Sequence, residues 1–224
     1  LRELQNRATP NSIRNNILII FGDLCTRFTS QLSQYVPNMA ACLQDPEPVI
    51  RRHSLLLLAQ LLRRDYIRLR PGVFFRLAAV LADPLPELCE RAEHMLTDMF
   101  LVKQPKLFLN NFLQTVAVFT GCRGYGASRG ALDAALIGQD AATAAPADCG
   151  GDGSYAASPL NEMLDEADLD DLTEFHNEKG RARRRTVYSC LLRAMSNEHK
   201  LELVAKVCRD VLGQIPDGTI ALGR

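Results

Sequence analysis

Cysteine and histidine are the side chains of this 224-residue chain that could act as nucleophiles or metal ligands. Seven cysteines are present, and no two of them are arranged as C-x-x-C. None of the four histidines has a second His or a Cys at zinc-ligand spacing. The pattern predicts reduced, mostly buried thiols of the cytosol or nucleus, and neither a zinc site nor a cysteine nucleophile. The histidines are His53, His94, His176 and His199.

Two other stretches could bind a phosphate or a cation, but each lacks part of its motif. Gly124-Tyr125-Gly126, with Gly130, is not followed by Lys-Ser/Thr and follows no predicted strand, which excludes a phosphate loop. The aspartates of 165–171 lack the glycine and the distal glutamate of a calcium loop. We therefore expect no enzyme activity, no cofactor, no metal and no small-molecule substrate.

Clustered basic residues are the remaining chemical signal. Such clusters on a helical scaffold could contact a phosphate backbone or an acidic partner, or they could simply solvate a helix face. No aromatic residues are interleaved with them, so base stacking is not indicated. Arg63 and Arg64 lie at a predicted helix C-terminus, where positive charge is favoured in any case. The candidate DNA or partner contacts are Arg51, Arg52, Lys179, Arg181, Arg183, Arg184 and Arg185.

The formal net charge of zero hides three unlike parts. Residues 1–119 carry 14 basic and 10 acidic residues, a net charge of +4. Residues 120–178 carry 2 basic and 12 acidic residues, a net charge of −10, and residues 179–224 carry 10 and 4, a net charge of +6. The charge of the whole chain therefore cannot decide whether it meets nucleic acid.

An internal repeat organises the first half of the chain. Apolar positions spaced i, i+4, i+7, i+8, i+11 and i+12 define one helix face, and the set recurs after 37 and again after 38 residues. The first set is Ile13, Ile17, Ile20, Phe21, Leu24 and Cys25; the second is Ile50, Ser54, Leu57, Leu58, Leu61 and Leu62; the third is Leu88, Ala92, Met95, Leu96, Met99 and Phe100.

A second apolar set lies between these helices and ends at an Asp-Pro turn, once at Asp45-Pro46 and once at Asp83-Pro84. Proline disfavours helix in the residue before it and suits the first turn of the next helix. One such hairpin cannot bury both its apolar faces, but stacked hairpins can. The expected helices span 12–28, 32–44, 47–63, 72–82, 86–102 and 105–119. The sequence thus predicts an all-α fold, an α-solenoid of HEAT-like helical hairpins interrupted by a disordered acidic loop.

The composition changes after residue 119. Of the 40 residues from 121 to 160, 19 are Gly or Ala. Such small side chains bury too little apolar surface to offset the conformational entropy that the chain would lose on ordering, so we predict that this stretch is disordered. Residues 158–175 are acidic with interleaved apolar residues, and could be either a docking motif or a solvated linker. We divide the chain into a solenoid (1–119), a disordered linker (120–178) and a helical hairpin that continues the solenoid (179–224). That hairpin has one helix marked by Val187 to Met195 and a second with apolar positions from Leu201 to Leu212.

No apolar run approaches the roughly 18 residues that cross a bilayer, so no membrane association is expected. The chain starts at Leu1 without a signal-peptide pattern, and we expect it to be a piece of a longer protein.

Short segments of the repeat region also resemble a known family. Residues 11–119 are similar to the HEAT-repeat stretch of the D-type subunits of condensin, those of condensin II in particular, and 183–208 resembles the family again. The segments are Ser12-Ile13-Arg14-Asn15-Asn16, Gly22-Asp23-Leu24-Cys25-Thr26-Arg27-Phe28, Tyr35-Val36-Pro37-Asn38, Cys42-Leu43-Gln44-Asp45 with Ile50-Arg51-Arg52, Phe74-Phe75-Arg76 and Asn110-Asn111-Phe112. Residues 126–170 depart from the family pattern.

The resemblance implies an architectural role in mitotic chromosome condensation. Such subunits are scaffolds that hold the kleisin chain, touch DNA or histone tails, and regulate coiled-coil ATPase partners that carry the chemistry. This implies a protein of the nucleus, associated with chromosomes. A generic HEAT-repeat adaptor of trafficking or transport, without a chromatin role, is the alternative.

Overall fold

The computed structural model of the chain describes residues 2–121 and 172–209. Every regular element in these two stretches is helical, and they contain no β-strand. The all-α prediction is therefore confirmed. The glycine-rich loop at 124–130 and the aspartates of 165–171 lie outside the described residues, as does most of the predicted linker. No helix of the described part is long and apolar enough to cross a bilayer.

The helices are named here in chain order. They are α1 (Arg2–Gln5), α2 (Asn11–Arg27), α3 (Thr29–Leu32), α4 (Val36–Ala41), α5 (Pro48–Arg63), α6 (Pro71–Val80), α7 (Pro86–His94), α8 (Leu107–Thr120), α9 (Gly180–Ala194) and α10 (Asn197–Val207). Short 3-10 turns, Ser33–Tyr35 and Cys42–Gln44, flank α4, and a π-helix, Met95–Leu101, continues α7.

The predicted repeat appears as three stacked hairpins. Their first helices are α2, α5 and α7, and their second helices are α4, α6 and α8. Within the stack α2 packs on α5 and α4 packs on α6, so each hairpin lies on its predecessor. Contacts at both ends show that α5 and α7 run parallel: Arg52 meets Glu87 near their N-termini, and Asp65, just after α5, meets Lys103, just after the π-helix that continues α7. In the same way α2 and α5 meet at Asn15 and His53 near their N-termini and at Gly22 and Leu57 further along both helices.

Each Asp-Pro turn is closed by the aspartate itself. The Oδ1 atom of Asp45 accepts a hydrogen bond from the backbone N–H of Glu47 at 3.0 Å, and that of Asp83 accepts one from the N–H of Leu85 at 2.9 Å. A proline, Pro48 or Pro86, then occupies the first position of the next helix, where no N–H partner is needed. Aspartate and proline together thus end one helix and start the next.

The predicted core faces of α5 and α7 are confirmed. Five of the six positions in each of these two sets are buried, and the sixth, Leu57 in one and Met99 in the other, is half-buried. Ser54, the one polar member, donates from its Oγ atom to the carbonyl of Met39 at 2.7 Å, so its burial leaves no unpaired hydroxyl.

The predicted core face of α2 is only half right: Phe21 and Cys25 are buried and Ile17 is half-buried, but the other three positions are exposed. Ile13, Ile20 and Leu24 are 49%, 57% and 39% exposed, although the repeat predicts them to be buried. The buried residues of α2 are Arg14, Leu18, Phe21, Gly22 and Cys25. The helix is apolar over two adjacent faces, and in this structure only one of them has a partner.

Two predicted helices are irregular. The helix expected at 32–44 is divided into α3, a 3-10 turn, α4 and a second 3-10 turn, because Pro37 can only stand in the first turn of a helix. The helix expected at 86–102 becomes a π-helix after His94. Neither change moves the core residues Met39, Leu43 or Phe100 out of the interior.

The last two helices, α9 and α10, both contact α8. Ser196 caps α10 by accepting a hydrogen bond from the N–H of His199 at 3.2 Å. The predicted apolar face of α10 is largely wrong, because Leu201 and Val204 are 73% and 59% exposed, and the buried residue of the helix is Leu203, which the prediction did not include.

The predicted linker ends earlier than residue 178. Residues 172–175 form a 3-10 turn, and both Leu172 and Phe175 are fully buried. The ring of Phe175 stacks on that of Phe119, with centroids 4.7 Å apart. Both side chains follow a run of aspartates, so composition alone placed them in the linker. The apolar surface that Phe175 covers is provided by Phe119 of α8.

Candidate nucleic-acid interface

The buried arginines of the first helices form a ladder that links successive hairpins. Arg14 pairs with Asp45, and Arg51, its equivalent in the next repeat, pairs with Asp83 through an Nε to Oδ2 distance of 2.8 Å. Arg51 also donates from Nη1 to the carbonyls of Asp45 and Pro46, at 2.8 and 3.0 Å. The hydrogen bond with Asp45 raises the pKa of Arg14 above its ordinary value, although burial alone would lower it.

The third repeat has Cys89 in the position of these arginines. Its thiol lies 3.1 Å from the carbonyl oxygen of Asp83, so it makes the backbone contact of Arg51 but supplies no charge. Burial raises the pKa of the Cys89 thiol, which keeps it neutral. The ladder therefore has a structural role. Arg51, one of the candidate DNA or partner contacts, is part of it, and its guanidinium group is bound by Asp83 and by the carbonyl of Asp45.

Arg52 lies on the outer side of the same helix. It pairs with Glu87 at 2.6 Å, and Arg91 shares that carboxylate at 3.1 Å. All three side chains are more than 40% exposed. Arg52 thus remains on the surface, in an exposed ion pair with a carboxylate that it shares with Arg91.

The basic run at 179–185 is divided between two roles. Arg183 lies over the ring of Phe175, 4.5 Å from its centroid, and pairs with Glu174 at 3.0 Å. Arg184 donates to the carbonyls of Phe175 and Asn177. These two arginines hold residues 172–179 (hereafter the 172–179 turn) against α9. Lys179, Arg181 and Arg185 are exposed and have no acidic partner among the described residues.

A second group of exposed cations includes Arg63 and Arg64, for which the sequence favoured a role at a helix C-terminus over one in an interface. Because the first helices run parallel, their C-termini lie at one edge of the stack. Arg27 ends α2, and Arg63 and Arg64 end α5 at the equivalent place one repeat later. Arg68 and Arg70 follow in the connection to α6. We call these five residues the arginine edge; all are exposed, and none has an acidic partner in the described part of the chain.

The shape of the α5 C-terminus helps to form this edge. Asp65 has a φ of 57°, the left-handed conformation that ends many helices and that aspartate tolerates better than most residues. Its carboxylate is bound by Lys103 at 2.7 Å, which ties the edge to the next repeat. Cations at helix C-termini also complement the negative end of the helix dipole, so the arginine edge has a structural benefit besides any ligand.

One cavity, of about 370 Å³, lies between α7 and α9. Its walls include Cys89, Cys190, Glu93 and Arg193. Arg193 pairs with Glu93 at 2.5 Å, and burial raises the pKa of Cys190 to about 11, which disfavours a reactive thiolate. No group of three or more His, Cys, Asp or Glu residues in the described stretches could hold a metal ion.

The fold and these surfaces can be compared with known proteins. The family model described as non-SMC mitotic condensation complex subunit 1 matches residues 12–123, half of the chain. The chain belongs to this family. The three hairpins of the stack lie within this matched region, so the family model and the sequence repeat cover the same part of the chain.

Relatives of this condensation-subunit family extend the similarity. The chain is 36% identical over 108 residues to condensin-2 complex subunit D3-L of Xenopus laevis, covering 48% of the chain and 7% of that protein. It is 24% identical over 211 residues to condensin-2 complex subunit D3 of Mus musculus, covering 94% and 12%. Against condensin-2 complex subunit CAP-D3 of Arabidopsis thaliana it is 25% identical over 209 residues, covering 93% and 14%.

The resemblance inferred from the sequence to condensin II D-type subunits is thus confirmed, and it extends over more of the chain than the two segments quoted above. The chain spans between 7% and 14% of the length of these three relatives. No solved structure matches the chain.

Proposed function

We propose that this chain is a non-catalytic scaffold segment of a condensin complex that acts in mitotic chromosome condensation. The observation that carries the proposal is the similarity to condensin-2 D3 subunits over more than nine-tenths of the chain. A stack of helical hairpins suits this role, because its elongated surface offers many partner contacts without a pocket. The partners are the kleisin and the coiled-coil ATPase subunits, and the protein acts in the nucleus on chromosomes.

Chromatin contact is assigned to the exposed cations. The arginine edge supplies five guanidinium groups along one side of the stack, and Lys179, Arg181 and Arg185 supply three more charges on α9 and just before it. Guanidinium and ammonium groups of this kind bind a phosphate backbone by displacing its counterions, without reading the base sequence. Acidic partner segments would be attracted by the same charges.

The reaction chemistry of the complex is assigned to the ATPase partners. The thiols with raised pKa values, Cys42, Cys89 and Cys190, are unsuited to nucleophilic attack. The four histidines are dispersed over three helices and the 172–179 turn. This arrangement supports a role in assembly.

Affinity purification of the natural full-length protein from mitotic cells tests the proposal. We expect kleisin and coiled-coil ATPase subunits to be recovered with it in stoichiometric amounts. Recovery of transport or trafficking proteins in their place would support the adaptor alternative. A variant with Leu58→Asp and Phe74→Asp, whose stack cannot form, serves as the control and should recover neither.

A further inference from the structure

Two short segments of the chain share the motif Arg-Arg-x-Ser/Thr, in which arginines stand three and two residues before a hydroxyl. They are Arg51-Arg52-His53-Ser54 and Arg183-Arg184-Arg185-Thr186. Protein kinases select substrates by their charge pattern, and one class binds arginines at these two positions through acidic side chains of its substrate groove. On sequence alone, Ser54 and Thr186 are therefore equivalent candidates for phosphorylation.

The structure separates the two hydroxyls. Ser54 is fully buried in α5, and its Oγ atom donates to the carbonyl of Met39 at 2.7 Å. Thr186 is exposed on α9, where its Oγ1 atom donates to the carbonyl of Ala182, one turn earlier, at 3.2 Å. A kinase therefore reaches Ser54 only after the stack unfolds, whereas Thr186 lies on the surface of the folded chain.

The arginines that a kinase would bind before Thr186 are engaged in the folded chain. Arg183 lies over the ring of Phe175 and pairs with Glu174, and Arg184 donates to the carbonyl of Phe175. Both partners belong to the 172–179 turn. Because a kinase groove takes its substrate as an extended segment, the turn must release these arginines and the start of α9 must unwind before Thr186 can react.

This opening is local. None of residues 181–186 is buried, and the first core side chain that α9 contributes after Gly180 is Val187. Unwinding the start of α9 therefore removes little apolar surface from the interior. The main apolar contact that the turn gives up is the stacking of Phe175 on Phe119. Such an opening needs far less free energy than unfolding the stack, which access to Ser54 requires.

We propose that Thr186 is a phosphorylation site for kinases that recognise arginine at these two positions, and that the 172–179 turn limits access to it. In the reaction the Oγ1 atom attacks the γ-phosphorus of ATP and the bond to the β-phosphate oxygen breaks. ADP leaves, and the hydroxyl proton passes to the catalytic aspartate of the kinase. This inference concerns modification of the chain and does not rest on the proposed function.

A phosphate on Thr186 disfavours the closed arrangement around α9. Of the residues three or four positions from Thr186 on the helix, Arg183 is the one cation, and it can bind the phosphate only by leaving Glu174 and Phe175. Thr186 also lines the cavity between α7 and α9, and the phosphate adds close to two negative charges there. The charged residues that line this cavity already have a net charge of −2: Asp83, Glu90, Glu93 and Arg193.

Phosphorylation in vitro tests the proposal, with the catalytic subunit of cAMP-dependent protein kinase and ATP as the probe. Synthetic peptides of residues 48–58 and 180–190 give the rates of both motifs without tertiary structure. In the folded 224-residue chain we expect phosphate at Thr186, added about tenfold more slowly or less than in its peptide, and none at Ser54. Mass spectrometry reads each site, Thr186→Ala removes the signal, and Ser54 reports any global unfolding.

A matched pair of glycine variants tests the role of the turn. In Gly180→Ala the added Cβ lies 2.6 Å from the backbone oxygens of Glu174 and Phe175 and pushes the turn away. We expect Thr186 to react at least about threefold faster in this variant, with Ser54 still unmodified. Gly72→Ala, whose nearest neighbour is 3.7 Å away, should leave the rate unchanged. Hydrogen exchange at 172–179 should be faster in the phosphorylated chain than in the unmodified one.

Three results would overturn the proposal. The first is no phosphate at Thr186 under conditions that fully modify its peptide, and the second is modification of Thr186 only together with Ser54. The third is a Thr186 rate that equals the peptide rate or that Gly180→Ala leaves unchanged, because the turn would then not limit access. Unchanged exchange in the phosphorylated chain would overturn the effect assigned to the phosphate.

Discussion

The guanidinium group of Arg51 joins two Asp-Pro turns: its Nε atom lies 2.8 Å from the carboxylate of Asp83, and its Nη1 atom donates to the carbonyl of Asp45. The side chains of Arg51 and Asp83 are 11% and 6% exposed. One side chain thus fixes the spacing between consecutive hairpins. The residue type and position repeat those of Arg14, which makes the same link to Asp45 one hairpin earlier.

Removing Arg51 should cost far more stability than removing its neighbour Arg52. Arg51→Ala leaves the Asp83 carboxylate buried without its partner, and we expect the free energy of unfolding to fall by about 3–5 kcal/mol. Arg52→Ala breaks an exposed ion pair and should cost at most about 1 kcal/mol. Urea denaturation followed by circular dichroism measures both. Equal losses for the two variants would contradict the assignment of Arg51 to the interior.

Gly180 should be intolerant of a side chain. A Cβ atom there would lie 2.6 Å from the backbone oxygens of both Glu174 and Phe175, so Gly180→Ala must push the 172–179 turn away from α9. We expect a loss of about 1–3 kcal/mol and faster hydrogen exchange at 172–179. Gly72→Ala is the matched control, because its nearest neighbour, Arg76 Nη1, is 3.7 Å away. That variant should be neutral or more stable by about 0.4–1 kcal/mol. Unchanged exchange in Gly180→Ala would show that the turn is not held there.

The arginine edge should govern the salt dependence of DNA binding. Every phosphate of duplex DNA that a variant no longer binds flattens the slope of log K against log salt by about 0.9, so Arg63→Ala with Arg64→Ala should flatten it by roughly 1.8. Arg52→Ala, whose charge is paired with Glu87, should leave the slope unchanged. Fluorescence anisotropy with a labelled duplex over a salt series gives the slopes. An unaltered slope in the double variant would remove the edge from the interface.

The exposed cations around α9 give a separate prediction for the same assay. Arg181→Ala with Arg185→Ala should also flatten the slope without loss of stability, because neither side chain has a partner among the described residues. Arg183→Ala should instead lower stability, since it removes the pair with Glu174 and the contact over Phe175. A loss of stability in the double variant Arg181→Ala with Arg185→Ala, but not in Arg183→Ala, would contradict these assignments.

The cysteines should differ in their reactivity with pH. Burial raises the pKa of Cys190 to about 11 and that of Cys42 to about 12, so the thiolate fraction of Cys190 is roughly one in a thousand at pH 8. Iodoacetamide should therefore label exposed Cys208 before Cys190, and the Cys190 rate should rise about tenfold per pH unit. Labelling in urea gives the unprotected rates. Cys190 labelling as fast as Cys208 at pH 7 would contradict this environment.

The same shift makes a small contribution to stability that depends on pH. The native state holds the Cys190 proton more tightly than the unfolded state, whose thiol has a pKa near 9. This contribution is fully present below pH 9 and is lost as the pH rises through about 11. A Cys190→Ser variant should lose less stability than the unsubstituted chain between these two pH values in urea titrations.

The sequence by itself determined the helices, their hairpins and the turns between them. Apolar spacing near 3.6 residues per turn and the Asp-Pro pairs are local signals, and both act within a dozen residues. They placed α5 to within a residue of each boundary and put Ile50 and Leu88 in the core. The family resemblance came from the same region.

Tertiary structure alone decided which of these residues are available to a partner. Arg51 and Arg52 are adjacent and identical in type, yet one is buried against Asp83, 32 residues away, and the other faces solvent. The apolar pattern of α2 likewise cannot say which of two adjacent faces gains a partner. Ion pairs and helix contacts of this kind depend on where distant segments come to lie, which a local periodicity does not encode.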